Sequence, residues 1–579
     1  MPSSSEIEQM LTGPGGAFEV STEEVNGIPT RVYKNRMGSL REVAALAAGR
    51  GDEQTFIVHR GRRIGFASFL EQAHAVSRSL AGSFGVGHGD RVAVLSANNP
   101  EWCLAFWGSV SMGAVLVGLN GWWKTDEILY GLKHCGAKVL VADRARLARV
   151  MSELDDCPDL EAVFLIDGDP SELGADARVR PFEELLATGA VSDPDPLATP
   201  IAEDDPAVIF YTSGTTGRPK GAVSTHRSMV ANLQNTLYNA LAGAMADPES
   251  GSALGGEQLA SLLSSPLFHV SGCHSGLVVG MVSGIKLVIP DGRFEPEAAM
   301  QLMQDERVTV WATVPTMIWR VVEHPARHDY DLSSVTTVGY GGSPSAGELQ
   351  RRIQETFPNV RTLGNAYGLT ESSSVATVNW GADLLQRPDS VGRALPVVEV
   401  RIVDEAGKDV ATGGVGEIWI KGPIVMPGYW NDPVATAETV TDGWLHSGDI
   451  GYIDADGFLY VTDRAKDMII RGGENVYCVE VEQVLFEHPG VVDAAVVGVP
   501  HKVLGEEIKA VVQLKPGSTA TTEDLRTHCS ARLANFKVPE YVELRDEPLP
   551  RNPAGKVLKN LLRGDETSFS TDPADDSAL

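Results

Sequence analysis

Cysteine is scarce. The chain has six in 579 residues, Cys103, Cys135, Cys157, Cys273, Cys478 and Cys529, widely spaced and with no CxxC pair. That pattern excludes a disulfide scaffold and fits a reducing compartment, so a cytoplasmic setting is expected. Cations are also in deficit. Lys and Arg total 48 against 77 Asp and Glu, a net charge of −29. Such a surface repels phosphate backbones and anionic membranes, which excludes nucleic acid as an expected partner. A small polyanion would need cations and backbone N–H groups gathered locally. The N-terminus, MPSSSEIEQM, has neither a basic start nor an apolar core, so no signal peptide is expected. Repeats and heptads are absent. One stretch, Cys103–Trp123, runs 21 residues without a charge. It carries Gly108, Gly113, Gly118, Gly121 and Asn120, so it reads as a core helix and strand rather than an integral membrane segment.

What is present is ordinary globular material. Hydrophobic residues make up 43%, and at about 150 residues per domain the length allows roughly three or four domain-sized units. Apolar runs at Arg91–Ala97, Lys138–Val141, Val208–Tyr211, Lys286–Ile289 and Val308–Trp311 read as buried strands. Helix-length segments such as Pro296–Glu306 and Glu348–Thr356 lie between them. The alternation predicts an α/β fold of stacked mixed layers with largely parallel sheets. Beyond residue 395, runs at Val397–Val403, Gly416–Ile420 and Gly457–Val461 sit between Gly and Asp turns, which predicts antiparallel strands in a small barrel-like β subdomain. From Asp467 to about Asp565 the pattern is a small α+β unit, with helices at Glu480–Glu487 and Thr522–Ala534 and strands at Val491–Val499 and Glu506–Leu514. Leu241–Gly256 reads as a surface loop, and Glu566–Leu579 as a disordered acidic tail.

The most informative segment is Tyr211–Gly221, YTSGTTGRPKG, directly after a predicted strand. Small hydroxyl and glycine residues let backbone N–H groups approach phosphate oxygens, and Arg218 and Lys220 add charge. It is not a P-loop NTPase sequence, because Gly221 and not Ser or Thr follows Lys220. Gly85–Gly89 (GVGHG) precedes a strand instead of following one, so it reads as a turn and not as a dinucleotide site.

YTSGTTGRPKG resembles the phosphate-binding signature of the adenylate-forming superfamily, in particular its acyl-CoA synthetases. Further motifs follow in that family's order: PLFHV at 266–270, GGSP at 341–344, NAYGLTE at 365–371, WLHSGDIG at 444–451, DRAKDMIIRGGENVYCVEVE at 463–482 and PRNPAGK at 550–556. Together they span roughly residues 60–563. The resemblance implies a large N-terminal adenylation domain over 1–463, a hinge at 464–467 pivoting on Lys466, and a mobile C-terminal domain over 468–565.

It also implies the chemistry. A carboxylic acid attacks ATP to give an acyl-adenylate and pyrophosphate, and the thiol of coenzyme A then displaces AMP. Thr212, Ser213, Gly214, Thr215, Thr216, Gly217 and Lys220 are expected to hold the β- and γ-phosphates. Thr370 is expected at the α-phosphate, and Glu371 as the Mg²⁺ ligand. Tyr367, within Asn365–Gly368 (Asn365, Ala366, Tyr367, Gly368), would stack on adenine, with Gly341, Gly342 and Ser343 on its other side. Asp449 and Arg464 would bind the ribose. Lys556 would bridge carboxylate and α-phosphate, and His269 would border the acid pocket. Gly472 and Gly473 would wall the thiol tunnel. A metal held by His269, Cys273 and His274 is not expected, since a fourth ligand and standard spacing are missing.

The expected partners are a small carboxylic acid, ATP and CoA, with a homodimer as the assembly; transfer to a carrier protein or amine is the alternative. Amino-acid-activating relatives carry an Asp where this chain has His269, which disfavours an amino acid. Val270–Cys273, Thr313–Met317, Tyr340–Gly342 and Ser372–Val375 are expected to line the acid pocket, and their small or apolar side chains suit a fatty or aromatic acid. Two departures stand out. Asn120–Gly121–Trp122–Trp123 lacks the family's Arg, and Ser343 replaces the commoner Ala.

Overall fold

The computed structural model describes residues 3–174, 176–187, 195–212, 218–247, 258–342, 347–472, 474–552 and 555–564. Two sheets dominate the first 394 residues. Among the described residues the first has seven strands, in the order 220–225, 206–212, 115–118, 91–95, 139–142, 162–165 and 179–181. Its strands are parallel apart from the hairpin of Pro206–Thr212 with Lys220–Thr225. The second has nine strands, with Thr55–His59, Lys286–Val288, Ala260–Leu262, Val310–Thr313, Thr337–Gly341 and Thr362–Tyr367 all parallel. Its edges are closed by antiparallel pairs. The strands expected from the sequence fall in these sheets within one or two residues.

The uncharged stretch divides as expected. Pro100–Ser111 is a helix started by Pro100 and capped by Asn99, whose Oδ1 accepts from the Trp102 N–H at 2.7 Å. Trp102, Phe106 and Trp107 on it are fully buried between the layers, and Val115–Gly118 follows as a strand. Among the described residues no helix is long and apolar enough to cross a membrane.

Two expected boundaries shift. The helix His226–Ala246 runs through the first six residues of the expected surface loop, Leu241–Ala246. Ala, Leu and Met are good helix formers and outweigh the single Gly243. That glycine is itself explained, because a Cβ there would come 3.1 Å from Nε1 of Trp380. Residues 248–256 of that segment lie outside the described residues, as does the tail 566–579. The expected helix Thr522–Ala534 ends earlier, at Ser530.

Beyond residue 395, Glu399–Val403, Gly416–Lys421, Val440–Thr441, Trp444–Ile453 and Leu459–Arg464 form an antiparallel sheet whose hydrogen-bonded path is open among the described residues. Its last strand leads straight into Arg464–Met468, a turn in which the N–H groups of Asp467 and Met468 donate to the Arg464 carbonyl. The small C-terminal unit then builds its own core. The strands Val491–His501 and Gly505–Leu514 pair along their length and pack on the helix Cys478–Phe486 through Val481, Leu485, Val496 and Ile508.

Candidate active site

In parallel sheets, ligands bind outside the carboxyl ends of the strands. The carboxyl ends of Pro206–Thr212, Thr337–Gly341 and Thr362–Tyr367 carry three of the motifs singled out above, and the antiparallel sheet supplies a fourth. Tyr367 ends its strand buried, and its hydroxyl donates to Oδ2 of Asp449 at 2.8 Å. Asp449 is buried and its Oδ1 lies 3.0 Å from Nε of Arg464, directly across the strand pair. Burial, followed by the Asp449 charge, raises the phenol pKa well above its usual value, so Tyr367 stays a donor. The Arg464 guanidinium is held more firmly charged, chiefly by Asp449.

Glu371 sits in the short turn Thr370–Ser372. One oxygen, Oε1, accepts from the Tyr429 hydroxyl at 2.8 Å, and its carbonyl accepts from the Met426 N–H. Tyr429 also pairs with Ala222, and the Lys220 ammonium lies 5.2 Å from the centre of its ring. The phosphate-motif hairpin and the Glu371 turn therefore share one tyrosine. Sequence reasoning missed Tyr429; its signal was an aromatic in the Pro427–Gly428 turn.

Lys556 comes from the C-terminal unit, yet it enters this cleft. Its loop is tied by the Lys556 N–H donating to Oδ1 of Asn552 at 2.9 Å and by Arg551 donating to the Gly555 carbonyl. Gly555 has φ +79°, and a Cβ there would lie 2.5 Å from Oγ1 of Thr316 and 3.0 Å from Val314. Only glycine lets the loop come this close. The Lys556 side chain remains open to solvent at the cleft mouth. Even so, the surrounding protein pushes its ammonium down to about 8, helped by Arg464 and Lys466 and opposed by Asp449 and Glu371. Burial also lowers Lys466, aided by Arg464. His269 is pushed down to about 4 by burial and then by the Lys556 charge, and its Nε2 has no hydrogen-bond partner.

The glycines divide by geometry. Gly342, at φ +80°, has open space where a Cβ would stand, so its backbone is free to approach a ligand. At Gly341 a Cβ would meet the Ala366 carbonyl at 2.3 Å, and at Gly368 the Ser374 carbonyl at 1.6 Å, so close backbone packing admits only glycine at either position. Asn365 is buried and donates to the Ser390 carbonyl at 3.3 Å. Ala366 is half-buried in its strand. Thr212 closes its strand opposite Lys220. Ser213, Gly214, Thr215, Thr216, Gly217, Ser343 and Gly473 lie outside the described residues.

Gly472 is not brought to the cleft. It turns the hairpin Ile469–Arg471/Glu474–Val476 at φ +61°, and its N–H donates to the Leu504 carbonyl within the small unit. Two expected pocket positions also shift role. Cys273 is fully buried in the main core, and the Ser372 hydroxyl accepts from the Leu369 N–H. Among the described residues no group of three or more His, Cys, Asp or Glu could hold a metal ion. Glu371 has a carboxylate oxygen beyond the one Tyr429 takes. That donor fits Mg²⁺, which binds through one or two carboxylates together with substrate phosphates.

The family model for AMP-binding enzymes matches residues 43–430, and that for the AMP-binding enzyme C-terminal domain matches residues 480–556. The chain belongs to the AMP-binding enzyme family. Among relatives, a 3-[(3aS,4S,7aS)-7a-methyl-1,5-dioxo-octahydro-1H-inden-4-yl]propanoyl:CoA ligase of Rhodococcus jostii is 36% identical over 89% of this chain and 96% of its own length. A feruloyl-CoA synthase of an Amycolatopsis species is 35% identical over 88% of this chain and 95% of its own. Among solved structures, the anthranilate CoA ligase AuaEII in complex with anthranoyl-AMP superposes with a TM-score of 0.79 at 25% identity, covering 91% of this chain and 97% of that one. In this AMP-binding enzyme, as the resemblance led one to expect, a large mixed α/β domain is followed by a small C-terminal one.

Proposed function

We propose that this AMP-binding enzyme is an AMP-forming carboxylic acid–CoA ligase acting on a hydrophobic acid. The observation that carries the reading is the entry of Lys556 into the cleft that already holds Asp449, Arg464 and Glu371. In the first half-reaction a carboxylate oxygen bonds to the α-phosphorus of ATP and pyrophosphate leaves. In the second, the CoA sulfur bonds to the acyl carbon, AMP leaves, and the thiol proton passes to solvent.

Both steps load charge onto oxygens, so the protein's part is positioning and electrostatic stabilisation. Lys556 and Thr370 meet the carboxylate and α-phosphate. Lys220 and residues 212–217 hold the outer phosphates. Tyr367 orients Asp449, whose carboxylate takes the ribose hydroxyls together with Arg464. Glu371, held by Tyr429, would hold Mg²⁺, which when bound neutralises phosphate charge. His269, kept neutral by burial, borders the acid. Arg464–Asp467 is the hinge about Lys466, and its rotation exchanges Lys556 for the Gly472 hairpin between the two steps. The CoA-ligase names of the relatives support CoA as acceptor.

The test is pyrophosphate release from a panel of fatty, aromatic and polycyclic propanoic acids, with and without CoA. The reading predicts at least one acid that releases pyrophosphate and gives a thioester only when CoA is added. Release that depends on an amine or carrier protein would replace CoA as acceptor, and no release with any acid would refute the ligase.

A further inference from the structure

The turn that presents Thr370 and Glu371 is followed by two non-glycine residues in the left-handed region, Ser373 at φ +50° and Ser374 at φ +106°. Both are buried. Such backbone persists only where its surroundings over-determine it, and it gathers at functional sites. What holds it here is a chain of side chains from two other elements. The Ser373 hydroxyl donates to Oγ of Ser224 at 3.2 Å, and Oγ of Ser224 lies 3.1 Å from Nε2 of His274. Ser374 and Ser275 join their hydroxyls at 2.7 Å.

Ser224 belongs to the strand Lys220–Thr225, which begins at the phosphate-motif lysine. His274 and Ser275 belong to Cys273–Val278, a π-helical segment. A π turn is rare and frequently marks a functional site. The chain relays one way if Ser224 donates to His274. Ser373 gives its proton to Ser224, and Ser224 can give its own to Nε2 of His274 only if that nitrogen is bare. The imidazole is fully buried, its ring packs 5.4 Å from that of Phe210, and burial keeps it neutral. That polarity requires the imidazole proton on Nδ1, which has no hydrogen-bond partner. A neutral imidazole accepting at Nε2 is what a fixed one-way chain of hydroxyls requires.

We propose that His274 is a positioning residue for the adenylation step: through Ser224 and Ser373 it fixes the strained turn that aims Thr370 and Glu371. This rests on the reading that the turn meets ATP and Mg²⁺. Ser373 and Ser374 fall within the span expected to line the acid pocket, but their hydroxyls are taken by Ser224 and Ser275, so breaking the chain at Ser224 or His274 should move nucleotide binding more than acid binding.

The test is calorimetric binding of α,β-methylene-ATP with MgCl₂ to the full chain, alongside KM for the acid and thermal unfolding. Ser224→Ala breaks the chain with little change of volume and should weaken the nucleotide about tenfold, with acid KM within about twofold. His274→Leu should do the same, and His274→Gln, whose amide oxygen can accept from Ser224, should recover most of the loss. Folded Ser224→Ala and His274→Leu proteins that bind the nucleotide as wild type does would overturn the proposal. So would an equal rise in acid KM, which marks a merely structural residue. Wild-type protein that binds no nucleotide would overturn the ligase reading itself.

Discussion

Lys556 stands where its charge is costly. Desolvation by the surrounding protein and two neighbouring cations push its ammonium down to about 8, and a charge that costs free energy on its own gains most beside an α-phosphate. The sign of the pH effect follows. The ammonium loses its proton as pH rises through about 8, so kcat/KM for pyrophosphate release should fall on the alkaline side with that apparent value. Lys556→Arg keeps the charge at all accessible pH and should lower the plateau but remove this limb. A limb that survives the substitution would assign it to another group. At this scale the motifs named residues that the fold brings together, Tyr367, Asp449, Arg464, Glu371 and Lys220, because each residue type was tied to a charge it must meet. Tyr429 was not legible, since its role comes from a cross-chain contact with Glu371 that local pattern does not encode. That Gly341 and Gly368 must be glycine for backbone packing, with a carbonyl where each Cβ would stand, was not legible either.

The described residues of the Pro550–Lys556 motif are held from three sides. Arg551 is fastened to Asp493 at 2.6 Å, Asn552 and Lys556 bond reciprocally, and Gly555 rests against Thr316 of the helix Pro315–Val322. Gly555→Ala adds a methyl 2.5 Å from the Thr316 hydroxyl at a φ of +79°, and should hold the loop off that helix. Pyrophosphate release should fall about tenfold or more, while CoA attack on supplied acyl-adenylate keeps its rate; an unchanged first step would mean the contact is incidental. Strand positions were legible because fully buried parallel strands read as unbroken apolar runs. The end of the helix His226–Ala246 was not, because Gly243 reads as a breaker until Trp380 is seen beside it.

On the scale of the molecule, the chain hides several histidines as neutral bases. Burial pushes His226 and His269 down to about 4 and His274 to about 3. Their unfolded values lie near 6.5, so below that pH the unfolded chain takes up protons that the fold refuses. Their stabilising contribution is present above about 6.5 and is lost as pH falls toward 4, by roughly 3 kcal/mol for His226. Asp463, raised to about 6 by burial, and Glu127, Asp389 and Asp493, also raised by burial, work in the opposite direction, but His74, His134, His446 and His528 are lowered as well and keep the histidines in the majority. The thermal unfolding midpoint should therefore drop as pH falls from 6.5 to 4.5, and His226→Gln should flatten that drop; a flat wild-type profile would contradict it. The two-domain plan was legible from the order of the motifs, whereas the arrangement of the units was not, because Lys556 and Gly472 belong to one small domain and only coordinates tell which of them enters the cleft.

The central claim is that this arrangement serves the first half-reaction alone. It is tested most directly by Lys556→Ala, measured separately for pyrophosphate release and for CoA attack on supplied acyl-adenylate. The account predicts a loss on the order of a hundredfold or more in the first and a change of no more than about threefold in the second. An equal loss in both steps would contradict it.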